Sequence, residues 1–116
     1  RFMEQAEHEY LRNRGLSVLM TDDEGRLSWP RVSVRCDYMQ SVVFEDQLDI
    51  EVHVERLGTK SITYGFHFSH NGDEVAIGSI TAVCCRIDAN QETRPVPQAI
   101  ELPEWFLEKL DAKPTT

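Results

Sequence analysis

Two carboxylates near the start of the chain have a spacing that could support acid–base chemistry. Glu4 and Glu7 are three residues apart, so both lie beside the apolar stripe of a helix predicted for residues 1–14. Burial at such a boundary raises the pKa of a carboxyl group and suits it to act as a general base. The commoner role of such residues is a solvated charge on a helix face. Both roles stay open for Glu4 and Glu7.

Nucleophilic catalysis has weaker support in the sequence. Gly78-Ser79 falls within a predicted strand, and no Gly-x-Ser-x-Gly motif is present to hold a serine on a sharp turn. Cys84 and Cys85 are adjacent in an apolar stretch, which is typical of buried packing residues. With Cys36 they make three cysteines and no Cys-x-x-Cys pair. This usage predicts a reducing compartment, without disulfides or a thiolate zinc site.

Other polar residues could bind ligands rather than catalyse a reaction. His53 and His67 have the same outward parity on adjoining predicted strands and could approach each other. Without a third spaced ligand we expect surface histidines and no metal. Two cations with neighbouring hydroxyls could instead hold phosphate groups, and these residues are Thr59, Lys60, Ser61 and Arg94. On spacing alone, phosphate binding and scattered surface cations are equally good interpretations.

Length and charge limit the classes of function. The 116 residues are enough for one domain, which we expect to span 1–116. Twelve Lys and Arg against twenty Asp and Glu give a net charge of -8, which disfavours binding to nucleic acid or to anionic lipid. The sequence has neither the run of about 18 apolar residues that spans a membrane nor a signal-peptide pattern. It therefore predicts a cytoplasmic protein with no membrane or nucleic-acid partner.

One helix and four strands are expected to position these residues. Residues 1–14 carry Phe2, Ala6 and Tyr10 on one stripe, and Gly15 follows as a C-terminal stop. Residues 20–28 are polar and predict a loop. Apolar residues at a period of two predict strands over 31–38, 47–55, 61–69 and 74–87. Asn71-Gly72 predicts a tight hairpin between the last two strands.

The faces of these strands predict how they pack. In the first strand, one face is expected to carry Val32, Val34, Cys36 and Tyr38, and the opposite face Arg31, Ser33, Arg35 and Asp37. The stretch 74–87 is apolar on both faces, which predicts a strand at the sheet centre or under a subunit contact. Residues 103–110 predict a short terminal helix. A curved antiparallel sheet around one helix is the natural packing, which gives the α+β class.

The serial order of these segments resembles a known family. Phe2 to Leu16, FMEQAEHEYLRNRGL, resembles the second half of the central helix in hotdog-fold acyl-CoA thioesterases of the 4-hydroxybenzoyl-CoA thioesterase type. The run VRCDYMQSVVFEDQLDIEVHVERLGTKSITYGFHF resembles that family's strands, with Asp46 ahead of the second. The strand ending VCCRID and the closing RPVPQAIELPEW extend the resemblance over essentially the whole chain. Ser41-Val42 and Arg86 depart from the family's usual residues, where they could alter the substrate.

The resemblance implies a single hotdog domain, in which a curved antiparallel sheet wraps one central helix. It implies an enzyme that hydrolyses acyl-CoA to a carboxylic acid and free CoA with no metal or other cofactor. The chain is then at least a homodimer, as a dimer or a homotetramer, with the pantetheine arm between subunits. Lys60 and Ser61 match a basic-Ser step, and Arg94 matches an Arg ahead of the final helix. In the family, positions of this kind contact the nucleotide and phosphates of CoA.

The family's catalytic Asp has no match in this sequence. It sits in a loop with a following Gly, before the central helix, so the resemblance implies that this loop, a strand before it and the first helical turns lie upstream of Arg1. Within the chain, Glu4 and Glu7 are the remaining candidates. The alternative is a non-catalytic hotdog subunit that binds an acyl thioester or another hotdog chain. A thioester on acyl carrier protein is also open, although the charge of -8 disfavours an acidic partner.

The sequence also predicts how copies of the chain associate. The stretch from Val75 to Cys85 is apolar on both faces, and a small domain rarely hides both faces of such a strand alone. We therefore expect a dimer formed by pairing at a sheet edge.

Overall fold

The computed structural model describes residues 2–17, 20–22, 25–39, 48–87 and 98–110. In chain order the elements are α1 (Phe2–Arg12), β1 (Thr21–Asp22), β2 (Gly25–Ser28), β3 (Arg31–Tyr38), β4 (Asp49–Leu57), β5 (Ser61–His70), β6 (Asp73–Val83), β7 (Cys85–Ile87), β8 (Gln98–Ala99) and α2 (Glu104–Leu110). Two helices with antiparallel sheets give an α+β architecture, as the sequence predicts. Neither helix in this described part of the chain is long and apolar enough to cross a membrane.

The four predicted strands form one antiparallel sheet in the order β3-β6-β5-β4. We call the side toward α1 the inner face and the opposite side the outer face. The inner face carries Tyr64, Phe66 and Ile80, and the outer face carries His53, His67 and Ser79. The predicted hairpin is confirmed, since Asn71 and Gly72 join β5 to β6 with φ angles of 52° and 86°. Positive φ at both central residues is what such a turn requires.

Helix α1 ends as predicted and packs on the inner face. Gly15 has a φ of 71°, and the Leu16 N–H donates to the Leu11 carbonyl at 2.8 Å, which closes the helix in a Schellman arrangement. Met3, Ala6 and Leu11 are buried in the core. Burial of this stripe provides most of the stability of such a short helix.

The predicted loop over 20–28 is wrong, because this segment contains β1 and β2. Leu27 is buried, and β2 pairs with β7 through Leu27 opposite Arg86. A second, small sheet results, in the order β1-β2-β7-β8. The polar, Gly-containing sequence gives no sign of this pairing, because the partner strand lies some sixty residues later.

The predicted single strand over 74–87 is also wrong, because it divides at Cys84. The Cys84 N–H donates to the Lys60 carbonyl at 2.7 Å, and its own carbonyl accepts from Ile100 at 2.9 Å. The strand before it, β6, belongs to the large sheet, and β7 belongs to the small one. The central position predicted for this stretch is confirmed for β6, which lies between β3 and β5.

Strand β3 forms where predicted, but its faces differ from the prediction. Val32, Val34 and Tyr38 are 62%, 57% and 70% exposed, because β3 is an edge strand with no described element over its apolar residues. A β-bulge also lies between Arg31 and Ser33, which oppose Ala82 and Thr81. Because Ala82 and Thr81 are consecutive, they point to opposite faces. Arg31 is therefore on the inner face, opposite to Ser33, and its predicted place on the same face as Ser33 is wrong.

The terminal helix α2 is confirmed and completes the core. Phe106 is fully buried, and its ring packs against Trp29 with a centroid separation of 4.9 Å. Lys109 donates to the Gly15 carbonyl at 3.4 Å, so the end of α2 contacts the end of α1. These contacts connect the two chain segments that flank the sheets.

Candidate functional site

A buried ion pair joins α1 to the start of β3. Glu7 is the one charged residue buried in the core of the described ranges, with its side chain 3% exposed. The Arg31 guanidinium donates through Nη2 to Oε1 of Glu7. Tyr64, itself buried on the inner face, lies close enough for the charge of Glu7 to act on its phenol. A buried carboxylate needs such a partner, because an unpaired charge there is strongly disfavoured.

The environment of this pair raises two pKa values. Burial raises the pKa of Glu7, and the adjacent Arg31 only partly opposes this effect. Burial also raises the pKa of Tyr64, and the charge of Glu7 adds to the shift. Glu4, the other predicted carboxylate, is exposed. The two candidates therefore differ: Glu7 is shielded from solvent and held by Arg31, and Glu4 is solvated.

An open cleft lies between α1 and β4 and has a volume of about 430 Å³. One wall is apolar and carries Leu48, Ile50 and Val52 of the segment that includes β4. The other wall is α1, which contributes Tyr10 and Glu9. A volume of this size is within the range of ligand pockets.

The predicted phosphate-binding residues form a well-anchored turn before β5. The Gly58 N–H donates to the Ser61 carbonyl at 2.9 Å, and the Leu102 N–H donates to the Thr59 carbonyl at 2.9 Å. With the bond from Cys84 to Lys60, these contacts fix the backbone of the turn. The side chains of Thr59 and Lys60 are exposed and that of Ser61 is half-buried. All three are therefore available to a ligand, and the predicted partner Arg94 lies outside the described residues.

The sheet end that bears this turn also bears Arg31. Ala82 of β6 pairs with Arg31 on one side and with Ile62 on the other. Arg31 therefore lies level with Ile62 across the sheet, one residue from Ser61 at the start of β5. Arg31 has no recognisable signal in the sequence, because alternation alone predicts it on the outer face. The structure therefore places Arg31, which is paired with Glu7, one row away from the predicted phosphate contacts.

The two histidines lie on the outer face and approach each other, as predicted. Their ring centroids are 5.4 Å apart, and Nδ1 of His67 lies 2.6 Å from Oε2 of Glu74. In the described part of the chain, no three His, Cys, Asp or Glu side chains are grouped so as to hold a metal ion. Cys84 and Cys85 are buried, as the packing interpretation predicts. Ser79 lies within β6, so no strained turn presents its hydroxyl.

Comparisons with known proteins identify relatives of this architecture. The sequence profile of the thioesterase-like superfamily matches residues 1–110. None of the curated proteins compared with the chain matches it. Among solved structures, a putative thioesterase from Prochlorococcus marinus is 23% identical, with a TM-score of 0.72 over 96% of this chain and 77% of the other.

Two further solved structures are also similar to this chain. A gentisyl-coenzyme A thioesterase is 21% identical, with a TM-score of 0.70 over 94% of this chain and 79% of the other. A protein from Pseudomonas aeruginosa is 26% identical, with a TM-score of 0.68 over 95% of this chain and 71% of the other. These likenesses show that the chain shares the fold of these proteins.

Proposed function

Because the chain belongs to the thioesterase-like superfamily, we propose that it hydrolyses an acyl-CoA thioester to a carboxylic acid and free coenzyme A. Water adds to the thioester carbonyl, the carbon–sulfur bond breaks, and the departing sulfur takes up a proton. The observation that carries the proposal is the match of the superfamily profile over residues 1–110. A structural neighbour that acts on gentisyl-coenzyme A supports CoA as the thiol portion.

The proposed CoA contacts are the side chains of the turn before β5. Lys60 supplies a positive charge for phosphate, and Thr59 and Ser61 supply hydroxyl groups. The three bonds that anchor the backbone of this turn support the assignment, because a preorganised turn loses little entropy when a ligand binds. Arg94 completes the proposed set.

We also propose that the chain is one hotdog domain, 1–116, with α1 as the central helix, and that it acts as a homodimer or as a pair of dimers. The dimer prediction is based on the apolar stretch from Val75 to Cys85. Because β6, which contains most of this stretch, lies between β3 and β5, we propose a different contact region. The large sheet has two edge strands, β3 and β4, and β3 is the one with exposed large apolar side chains, which are Val32, Val34 and Tyr38, with Met39 next to them. Pairing of two β3 edges would bury this apolar surface.

A second candidate function is a non-catalytic subunit that binds an acyl thioester. The observation in its favour is the state of the two candidate carboxylates. Glu7 is held by Arg31 in the core, and Glu4 is solvated, so neither resembles a base poised beside a substrate. In this case the protein would bind acyl-CoA and leave the thioester intact. Location in a reducing cytoplasm remains a prediction for both functions.

The test is release of free CoA thiol by the full-length protein from a series of acyl-CoA substrates, compared with the same acyl groups on acyl carrier protein. Turnover of acyl-CoA supports the enzyme, binding without turnover supports the second candidate, and turnover of the carrier-protein thioester alone would exclude CoA as the carrier. Glu4→Gln and Glu7→Gln then show whether either carboxylate takes part in the reaction.

The CoA contacts are tested by Lys60→Ala. Because phosphate binding is remote from the reacting carbon, we expect KM for acyl-CoA to rise far more than kcat falls. The effect should shrink at high salt, because screening weakens the original contact. Arg56→Ala, which removes an exposed cation from β4, is the matched control. An unchanged KM for Lys60→Ala, or a loss confined to kcat, would reject the assignment.

A further inference from the structure

The bulge in β3 has one clear effect, which is to turn Arg31 toward α1. Without the extra residue, strict alternation would place Arg31 on the outer face with Ser33 and Arg35. With it, Arg31 shares the inner face with Ala82 and meets Glu7. Bulges commonly re-aim one side chain in this way and bend the strand that contains them.

The contacts of α1 show why this side chain matters. The helix packs chiefly on β4 and β6, with Met3 lying over Gly78 of β6. Of the apolar side chains of β3, Cys36 packs against the core, whereas Val32 and Val34 are more than half exposed. The Glu7–Arg31 pair adds a charged hydrogen bond that joins α1 directly to the start of β3.

We infer that Glu7 and Arg31 are a positioning pair, which fixes the bulged start of β3 against α1 and so sets the geometry of the free β3 edge. This inference rests on the proposed function, in which that edge pairs with a second copy and the pantetheine arm lies between the subunits, as the family resemblance implies. A guanidinium suits this role, because its donors form a rigid planar fork, whereas a lysine ammonium is a point charge on a flexible stem.

The experiment is a double-mutant cycle with Glu7→Gln, Arg31→Gln and the two combined. Amide hydrogen exchange over β3 reports its position directly, and sedimentation reports self-association. Each single variant should speed exchange in β3 and weaken self-association about tenfold or more, and the combined variant should add little further loss, because either change removes the pair. Arg31→Lys should restore only part of both properties.

Controls separate positioning from simple loss of stability. Glu4→Gln on α1 and Arg56→Gln on β4 remove exposed charges away from the β3 edge and should leave exchange and association unchanged. Glu7→Gln keeps the size of the side chain and a hydrogen-bond acceptor, so the folded state should persist. A lower melting temperature with unchanged β3 exchange and unchanged association would overturn the inference, as would additive effects in the cycle.

The test of the positioning pair can fail or succeed independently of the test of thioesterase activity. If the original protein does not hydrolyse thioesters, the proposed function fails, and β3 exchange still tests the pair. If it does, Arg31→Gln, which breaks the pair and keeps both candidate carboxylates, should lower kcat by a larger factor than it raises KM, because a displaced edge misaligns bound substrate rather than weakening phosphate contacts. An unchanged kcat would show that the pair does not position the site.

Discussion

Each face of the large sheet has a pair formed by a carboxylate and a basic side chain, but one pair is buried and the other is exposed to solvent. The inner face has a carboxylate paired with a basic side chain, Glu7 with Arg31, and the outer face has Glu74 with His67. The carboxylate side chain is 3% exposed in the first pair and 44% exposed in the second. Because water screens the outer pair and not the inner one, similar short contacts have different energetic consequences.

The glycines of the two faces extend this comparison. Gly78 lies beneath Met3 on the inner face, and a methyl group there would stand 2.5 Å from the Met3 sulfur and 3.0 Å from the Arg35 carbonyl oxygen. Gly65 lies beneath the ring of His53 on the outer face, and the atoms nearest to an added methyl group belong to that exposed side chain. Packing restricts the inner position, whereas a rotation of one side chain relieves the outer one.

The largest expected effect is that of Arg31→Ala. It leaves the Glu7 carboxylate buried without its partner, which should lower the free energy of unfolding by about 3–5 kcal/mol. Chemical denaturation measures the loss, and Arg35→Ala, which removes an exposed cation of the same strand, should change stability by no more than about 0.5 kcal/mol. If Arg31→Ala and Arg35→Ala lowered stability equally, burial would not explain the expected difference between the inner and outer faces.

Gly78→Ala comes next. The new methyl group meets a backbone carbonyl that cannot rotate away, so we expect a loss of about 1–3 kcal/mol from overpacking. Gly65→Ala is the matched control on the outer face. Its methyl group displaces the His53 ring, and the expected change in stability is within about 1 kcal/mol, because alanine is also favoured over glycine in a strand. A larger loss at Gly65 would contradict the comparison.

The inner pair should also impose a pH dependence. Because burial raises the pKa of Glu7 above its ordinary 4.5, the folded protein binds the proton more tightly than the unfolded chain. The stabilisation is complete below 4.5 and is lost as the pH rises through the folded pKa. Glu7→Gln lacks this loss, so its stability relative to the original protein should rise with pH above 4.5. Glu4→Gln should not show this trend.

The smallest effect is expected from Glu74→Gln. This change removes the charge of an exposed pair and should lower stability by about 1 kcal/mol or less. The loss should vanish at high salt, where the pair is screened even in the original protein. A loss as large as that of Arg31→Ala would show that exposure does not govern these pairs.

Local signals made part of this structure predictable. The end of α1 follows from Gly15, and the β5–β6 turn follows from Asn71-Gly72, because both depend on the conformations of one or two residues. The approach of His53 and His67 follows from strand parity on adjacent strands. Each of these features is decided within a short stretch or between neighbouring strands.

The remaining features depend on distant partners. The bulge at Arg31 exists because β3 pairs with β6, and the break at Cys84 exists because Lys60 and Ile100 take its backbone bonds. The pairing of β2 with β7 likewise joins segments far apart in the chain. For this reason the sequence identified Glu7 as a candidate but could not identify Arg31 as its partner, and it could not show that β6 lies between β3 and β5 rather than at an edge of the sheet.

The turn at Asn71-Gly72 has a kinetic consequence. It joins β5 and β6 through two residues, so their pairing closes the shortest loop in the large sheet and costs the least chain entropy. Hairpins of this kind form in about 1–10 µs. β3 pairs with β6 across a far longer loop, because β4 and β5 intervene in the chain. We therefore expect β3 to join the sheet late in folding. Its apolar edge, which could pair with other unfolded chains and aggregate, then forms only when few unfolded chains remain.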